Sequence, residues 1–238
     1  MIKVINFILG NLKRLTSPSP VGKIETYLAK YLDKTSPIAL VDIGAHKGDF
    51  INMVKGYYSV RSAILVEPIP ALADGLKSSF QDGSVTVFQN ALTDKDGESI
   101  EFLINEYEET SSLLQLKSGM KELGNINTNP LRKEMVITRT LDSITKEAAI
   151  GIIDLMKIDV QGVEHLVLSG ASETLSVTKY VWIEFSFKPL YIGSSVFADI
   201  YGLMEKNHFI LLEVSPGYRA PNNELLQADA LFVNIKYA

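Results

Sequence analysis

The sequence lacks cysteine altogether. This absence excludes disulfide frameworks, thiolate zinc sites and cysteine nucleophiles, and it is consistent with a reducing compartment, so we expect a cytoplasmic protein. The sequence also has no apolar run near the ~20 residues that a membrane span requires. It has no basic excess either, because its formal net charge is -5. Since nucleic-acid binding requires a basic surface that displaces counterions, we expect no nucleic-acid partner.

The first 15 residues are predicted to form a short amphipathic helix. No small-residue cleavage site follows this segment, which argues against a signal peptide. We expect the helix to pack on its own domain or on a second subunit, which would make the protein a homo-oligomer. Attachment to a membrane surface is the alternative. We therefore divide the chain into an N-terminal helical segment, residues 1–35, and a main domain, residues 36–238.

The rest of the chain alternates between short apolar runs and amphipathic segments. The apolar runs predict strands at residues 38–41, 61–66, 84–88, 152–158, 179–185, 208–213 and 230–236. The amphipathic segments predict helices at residues 22–33, 47–55, 70–80, 163–169 and 196–206. Strands that alternate with helices pair in parallel with right-handed crossovers, so we predict a doubly wound α/β fold. No helix separates the last two runs, which favours an antiparallel pair at one edge of the sheet.

The stretch from residue 90 to residue 145 interrupts this alternation. It contains a turn at Asp94–Gly97, predicted strands at 98–104 and 134–140, and polar loop material between those strands. We interpret residues from about 98 to 145 as an insertion over the mouth of a ligand site, not as a second domain.

A glycine-containing turn joins the first predicted strand to the following helix, in the stretch Val41-Asp42-Ile43-Gly44-Ala45-His46-Lys47-Gly48-Asp49. Gly44 allows the tight turn, and Gly48 allows the helix to approach closely. Ligands of open α/β sheets bind beside such turns, at the carboxyl ends of the strands. A dinucleotide-binding turn would have a second glycine where this chain has His46.

Acidic residues beside this turn indicate the charge of the ligand. Asp42 precedes the turn, and Glu67 ends the second predicted strand. A carboxylate repels phosphate and attracts a cation, and an acidic residue at the spacing of Glu67 holds ribose hydroxyls in nucleotide sites. The pair therefore favours a cationic nucleoside such as S-adenosylmethionine over a dinucleotide. The alternative is that both side chains only cap strand ends.

A second cluster of ionisable residues lies in the stretch from Asp154 to Glu164. Lys157 and Asp159 point to the same face of a predicted strand, at its carboxyl end. Two charged groups at the mouth of a buried strand are costly unless they are paired or used in function. One interpretation is an ion pair of Lys157 with Asp159 or Glu164 that only fixes the loop. The other is a catalytic role.

Several of these stretches together resemble the FkbM family of methyltransferases, over about residues 38–185. The matching motifs are VDIGAHKGDF, LVEPIP, FQNALTDKDGE, SSL, TLDSI and LMKIDVQGVEHLVLSGA. The resemblance implies a Rossmann-like class I methyltransferase fold with seven strands and with S-adenosylmethionine as the cofactor. It also implies O-methylation of a hydroxyl on a sugar, glycosylated or natural-product acceptor, so we expect a small-molecule or glycan partner.

The resemblance also implies roles for individual residues. It assigns the methionine side of the cofactor to Asp42, Gly44, Ala45, His46 and Gly48, the ribose to Glu67, the adenine edge to Asn90 and Ala91, and a serine pair near the cofactor to Ser111 and Ser112. The chain departs from the family pattern at His46, where many members have asparagine. A charge on this histidine near the cofactor or the acceptor would tie activity to pH near neutrality. A surface position at a helix start is the alternative.

Proton removal from an acceptor hydroxyl can be assisted by a base or by a metal ion. Asp159 and Glu184, at the ends of neighbouring predicted strands, are the candidate catalytic carboxylates, and Lys157 could instead lower the pKa of the acceptor. The two carboxylates could also hold a divalent cation, but two acidic residues rarely complete such a site, so we assign no metal ligands. The runner-up functions are an NAD(P)-linked oxidoreductase and a catalytically inactive nucleoside-binding module.

Overall fold

A computed structural model describes residues 21–120 and 127–238 of the chain. The helix expected over the first 15 residues, and the subunit contact assigned to it, lie outside these residues. The helices are α1 (Val21–Tyr31), α2 (Asp49–Tyr57), α3 (Pro70–Ser79), α4 (Leu141–Glu147), α5 (Glu164–Ser169), α6 (Ser172–Ser176) and α7 (Phe197–Lys206). The strands are β1 (Ile38–Ile43), β2 (Val60–Val66), β3 (Val85–Phe88), β4 (Ala91–Leu92), β5 (Ser99–Ile104), β6 (Arg132–Arg139), β7 (Ile153–Ile158), β8 (Thr178–Ser186), β9 (Phe209–Pro216) and β10 (Gln227–Asn234). None of the described helices is long and apolar enough to cross a membrane.

Seven strands form one sheet in the order β3-β2-β1-β7-β8-β10-β9. β10 is antiparallel to both of its neighbours, and the other pairs are parallel. The predicted doubly wound, mostly parallel sheet is confirmed, and so is the antiparallel pair at one edge. The strand order reverses between β1 and β7, and open α/β sheets bind their ligands at such a reversal.

Apolar side chains on both faces of the central strands explain why β1 and its neighbours are buried. Ile38 and Leu40 face one core layer, whereas Val41 and Ile43 face the other, as the alternation of a strand requires. Every residue of β1 is buried. Since complete burial of one aliphatic side chain contributes about 1.5–3 kcal/mol, this strand is an anchor of the fold.

A buried carboxylate fixes the amino ends of the central strands, opposite the predicted site. Asp154 at the start of β7 accepts hydrogen bonds from Arg61 Nη1 at 2.6 Å and from the Ala39 backbone N–H at 2.8 Å. Lys179 Nζ lies 2.8 Å from its other oxygen. Burial opposes the charge of Asp154, but these partners outweigh burial and lower the pKa of the carboxyl. The Asp154 carboxylate and its partners therefore connect strands β1, β2, β7 and β8, and the two cationic side chains compensate its charge.

Strands β5 and β6 lie within the predicted insertion, and with β4, which precedes it, they form a second, smaller sheet in the order β4-β6-β5. A separate apolar cluster joins this sheet to the carboxyl edge of the main one, with Phe102, Ile104 and Val136 from the insertion against Ile69 and Ala91. The short helices α4 and α6 were not anticipated from the sequence, because five to seven residues carry too little periodicity to be recognised.

We expect Gly44→Ala to lower the free energy of unfolding by more than about 1 kcal/mol. Gly44 has φ +74°, and a Cβ atom there would lie 1.9 Å from the Asp159 carbonyl oxygen, so the chain would have to move. The matched control is Gly75→Ala in α3, where a Cβ atom meets open space. That substitution should raise the free energy of unfolding by about 0.5–1 kcal/mol. Chemical denaturation measures both, and equal effects of the two substitutions would contradict this account.

Candidate active site

A cavity of about 390 Å³ opens at the carboxyl ends of β1, β2, β7 and β8, where the strand order reverses. Most of the residues predicted from the sequence line it, namely Gly44, Ala45, His46, Glu67, Asn90, Ala91, Ser111, Lys157, Asp159 and Glu184. The structure therefore brings together residues that lie far apart in the sequence. Three predicted residues, Asp42, Gly48 and Ser112, lie behind the cavity wall.

The glycine turn after β1 is folded back onto the end of β2. The backbone N–H groups of Gly44 and Ala45 both donate to the Val66 carbonyl oxygen, at 3.0 and 3.1 Å. His46 follows with φ +49°, a left-handed conformation that is uncommon for a residue with a side chain. This arrangement leaves the turn pressed against the cavity, with Ala45 and His46 in its wall.

Glu67 lies at the end of β2 and is only 4% exposed. Its two carboxylate oxygens accept hydrogen bonds from the backbone N–H groups of His46 and Ile69, each at 2.9 Å. Burial raises the pKa of Glu67 to about 7, against the lowering effect of these two hydrogen bonds. A carboxylate has about four acceptor positions, so Glu67 keeps acceptor capacity for a ligand hydroxyl.

Lys157 and Asp42 pair across strands β7 and β1, because the two residues are direct neighbours in the register. Lys157 Nζ lies 3.6 Å from Asp42 Oδ1 and 3.4 Å from Asp159 Oδ2, and it donates to the Gly44 carbonyl oxygen at 3.1 Å. Burial lowers the pKa of the Lys157 ammonium, but Asp159 and Asp42 outweigh burial and hold that pKa above its ordinary value. Burial also raises the pKa of Asp42 to about 6.

Asp42 is fully buried and does not line the cavity. It shares a face of β1 with Leu40, and the core layer on that face includes Phe50 of α2. The structure therefore places Asp42 behind the cavity wall, beside Lys157. The sequence predicted that Asp42 contacts the ligand directly, and its burial follows from the packing of α2 on this face of β1.

Gly48 and Ser112 make packing and hydrogen-bond contacts next to the cavity and do not line it. A Cβ atom at Gly48 would lie 3.0 Å from Leu76 Cδ2, so this glycine allows α2 to approach α3. The Ser112 hydroxyl donates to the Gln161 carbonyl oxygen at 2.7 Å, on the far side of the wall. Its neighbour Ser111 does line the cavity.

His46 lines the cavity, and burial together with Lys47 lowers the pKa of its imidazole. The ring is therefore neutral near neutral pH. Its Nε2 atom lies 3.9 Å from Glu108 Oε2, which is beyond hydrogen-bond distance. The charge change near neutrality that the sequence suggested is thus shifted to more acidic pH.

The carboxylates of Asp159 and Glu184 meet at one amide group. Gln161 Nε2 donates to Asp159 Oδ1 at 2.7 Å and to Glu184 Oε2 at 2.9 Å. Gln227 Nε2 also donates to Glu184 Oε2, at 3.1 Å. Burial, followed by the negative charge of Asp159, raises the pKa of Glu184 well above its ordinary value. The two predicted catalytic carboxylates therefore lie at the same part of the cavity wall.

Sequence reasoning missed several residues of the wall. The single-turn helix Glu108–Thr110 brings Tyr107, Glu108 and Glu109 to the cavity, within what had been considered polar loop material. Gln161 was part of the most specific motif but had no role assigned to it. Its contact with Glu184 depends on the adjacency of β7 and β8. The sequence predicts these strands as neighbours, and that adjacency was the available signal for the contact.

Acidic side chains dominate the charged part of the lining, with Asp49, Glu67, Glu108, Glu109, Asp159 and Glu184. Within the described residues, Lys157 is the one Lys or Arg side chain in the wall, and Asp42 and Asp159 already face its charge. No group of three or more His, Asp or Glu side chains in the two described ranges is arranged to hold a metal ion.

A family model described as the methyltransferase FkbM domain matches residues 42–211. The chain belongs to the FkbM methyltransferase family. This confirms the resemblance that the motifs indicated, and it decides for a methyltransferase over the NAD(P)-linked oxidoreductase.

Individual proteins similar to this FkbM methyltransferase were also found. The 2-O-methyltransferase NoeI of Sinorhizobium fredii is 27% identical over 199 residues, which cover 80% of this chain and 80% of that protein. The crystal structure of magnesium protoporphyrin IX methyltransferase (ChlM) from Synechocystis PCC 6803 with bound SAH aligns over 90% of this chain and 81% of that one, with 10% identity and a TM-score of 0.52. This likeness shows the class I methyltransferase fold. The FkbM methyltransferase of Methylobacillus flagellatus KT aligns over 82% of this chain with 13% identity and a TM-score of 0.49, and our chain spans 43% of its length.

Asp229 should lower the stability of the FkbM methyltransferase as the pH rises, and Asp229→Asn should remove that contribution. Asp229 on β10 is buried opposite Glu184, and burial with Asp159 raises its pKa to about 7 from an ordinary value of 3.8. The folded state then binds more protons than the unfolded state between these values, so the stability present at low pH is lost towards pH 7. Asparagine keeps an acceptor for the Trp182 side chain but carries no charge.

Urea denaturation between pH 4 and pH 8 tests this prediction. The free energy of unfolding of Asp229→Asn should exceed that of the unmodified protein by a margin that widens from about pH 4 to pH 7. Asp74→Asn, which neutralises an exposed carboxylate on α3, is the control and should leave the pH dependence in place. A margin for Asp229→Asn that stays constant with pH would refute the assignment.

Proposed function

We propose that this protein is an S-adenosylmethionine-dependent O-methyltransferase that modifies a hydroxyl of a sugar, a glycosylated compound or a natural product. The observation that carries the proposal is the acidic lining beside the glycine turn. Six carboxyl side chains face the cavity, and the charge of Lys157 is already countered. Such a lining attracts a cationic nucleoside and repels a diphosphate or a nucleic-acid backbone.

The residues around the turn fit the parts of this cofactor. Glu67 has acceptor capacity for the ribose hydroxyls, and the turn residues Ala45 and His46 flank the same space. Asn90 and Ala91 lie at the end of β3, where apolar Ile69, Leu92 and Phe102 provide a surface for a flat base. The fold neighbour ChlM was crystallised with bound SAH, which supports a nucleoside cofactor of this kind.

The acceptor end of the cavity is formed by Asp159 and Glu184, together with apolar side chains of Leu116, Leu190 and Tyr191. The cofactor supplies an electrophilic methyl group on a sulfonium. The protein has to hold the acceptor oxygen in line with that group, and such placement accounts for much of the acceleration in two-substrate reactions. Asp159 or Glu184 takes the hydroxyl proton as the new bond forms. The name of the relative NoeI, a 2-O-methyltransferase, supports oxygen as the acceptor atom.

We expect Glu67→Gln to weaken the binding of S-adenosylmethionine and S-adenosylhomocysteine by about 10- to 100-fold, because a hydrogen bond to a charged group contributes about 1.5–3 kcal/mol. Isothermal titration calorimetry measures both affinities. Glu173→Gln, which changes an exposed glutamate on α6, is the matched control and should bind as the unmodified protein does.

Three results would count against the cofactor assignment. They are unchanged affinity in Glu67→Gln, absence of S-adenosylhomocysteine binding in the unmodified protein, and stabilisation by a nicotinamide dinucleotide in its place. Binding of the nucleoside without methyl transfer to any acceptor would instead identify a catalytically inactive module.

We expect Asp159→Asn to reduce turnover by about 100-fold or more and to change S-adenosylhomocysteine affinity by less than about threefold, since a positioned base contributes about 10²–10⁴-fold to rate. The assay follows transfer of a labelled methyl group to a panel of neutral glycosides. Asp94→Asn in an exposed turn is the control. Equal losses of turnover and affinity would place Asp159 among the binding residues.

A further inference from the structure

Gln161 uses its whole side-chain amide on groups of the candidate site. Its nitrogen donates to Asp159 and to Glu184, at 2.7 and 2.9 Å. Its oxygen accepts from the Tyr191 hydroxyl at 3.0 Å. An amide nitrogen has two hydrogens, so each carboxylate can receive one of them. Gln161 therefore touches both candidate catalytic carboxylates and also lines the cavity.

The surroundings determine which way this amide points. In the opposite orientation the amide oxygen would face two carboxylates, and that arrangement is repulsive. The Tyr191 hydroxyl, 3.0 Å from the amide oxygen and 2.9 Å from the Thr110 carbonyl oxygen, can donate or accept, so the two carboxylates decide the orientation. The orientation of the amide thus follows from its partners.

We propose that Gln161 is a positioning residue that holds Asp159 and Glu184 side by side at the acceptor end of the cavity, so that one of them receives the proton of the acceptor hydroxyl. This inference rests on the proposed methyl transfer to oxygen. The proton passes from the hydroxyl to the carboxylate while the oxygen gains the methyl group and the sulfonium becomes a thioether. Gln161 itself exchanges no proton and contacts no reacting atom.

A neutral donor between the carboxylates is required because Glu184 faces mainly negative charge. Asp159, Asp229 on β10 and Glu164 on α5 all disfavour its ionisation, and Lys157 is the cation that opposes them. Two N–H donors at Gln161 and Gln227 stabilise the ionised form without adding charge. Loss of the Gln161 donor should therefore make Glu184 harder to ionise, and Glu184 would then be less able to receive a proton.

The backbone of Gln161 offers variants that separate this role from a structural one. Gln161 has φ +58°, and the next residue, Gly162, has φ +106°. Asparagine and glycine tolerate this left-handed conformation better than glutamine does. Gln161→Asn keeps an amide but is one methylene too short to reach both carboxylates, and Gln161→Gly removes the amide. If Gln161 were needed only for the turn, both substitutions would leave activity and the titration of Glu184 unchanged.

The test is a carboxyl ¹³C NMR titration of the free protein, with the Glu184 signal assigned through Glu184→Gln. In Gln161→Asn and Gln161→Gly the titration midpoint of Glu184 should rise by about one pH unit, the size expected for a lost hydrogen bond to a charged group. The control is His208→Asn, which places asparagine at another exposed left-handed position, with φ +66°, away from the cavity. It should leave the Glu184 midpoint in place.

Activity gives a second measurement of the same variants. With a glycoside that accepts the labelled methyl group, both should lower kcat at least about tenfold, because a small displacement of catalytic groups has such effects, while the Kd of S-adenosylhomocysteine changes less than about twofold. An unchanged Glu184 midpoint in both variants, with thermal stability equal to or above that of the unmodified protein, would overturn the proposal. The titration uses no cofactor, so its result bears on the role of Gln161 alone. A failure of S-adenosylhomocysteine binding would contradict the proposed function independently of that result.

Discussion

The buried ammonium of Lys157 holds the carboxyl edge of the sheet together. It connects β1 through Asp42, the glycine turn through the Gly44 carbonyl oxygen, and the end of β7 through Asp159, all within 3.6 Å. These elements meet where the strand order reverses and the cavity opens. Loss of one member of a buried ion pair typically costs about 3–5 kcal/mol, because the other charge is left without compensation.

The two ends of β7 show opposite electrostatic conditions. At the amino end, Asp154 has two cationic partners and a backbone donor, and its pKa is lowered. At the carboxyl end, the pKa values of Glu184 and Asp229 are raised. His46 and Gln161, two of the residues with side chains at positive φ, also line the cavity. Carboxyl groups with raised pKa values thus lie at the end of the sheet where the cavity opens, as is common at functional sites.

Much of this arrangement could be predicted from the sequence because it depends on local pattern. Continuous apolar runs identified the buried strands, and the glycine turn and Glu67 identified the edge where a ligand would bind. What could not be predicted depends on tertiary packing. The burial of Asp42 follows from the helix that covers its face of β1, and the bridge at Gln161 follows from the distance between β7 and β8. Neither is encoded in the spacing of residues within one segment.

The buried carboxyl groups at and behind the cavity wall link the binding of a cation to the release of protons. With pKa values of about 6 to 7, Asp42, Glu67 and Glu164 retain part of their protons in the free protein near neutrality. A positively charged guest makes ionisation of these groups more favourable, and their protons then leave for the solvent. Binding of a cation beside these groups would therefore release protons, and it would become more favourable as the pH rises.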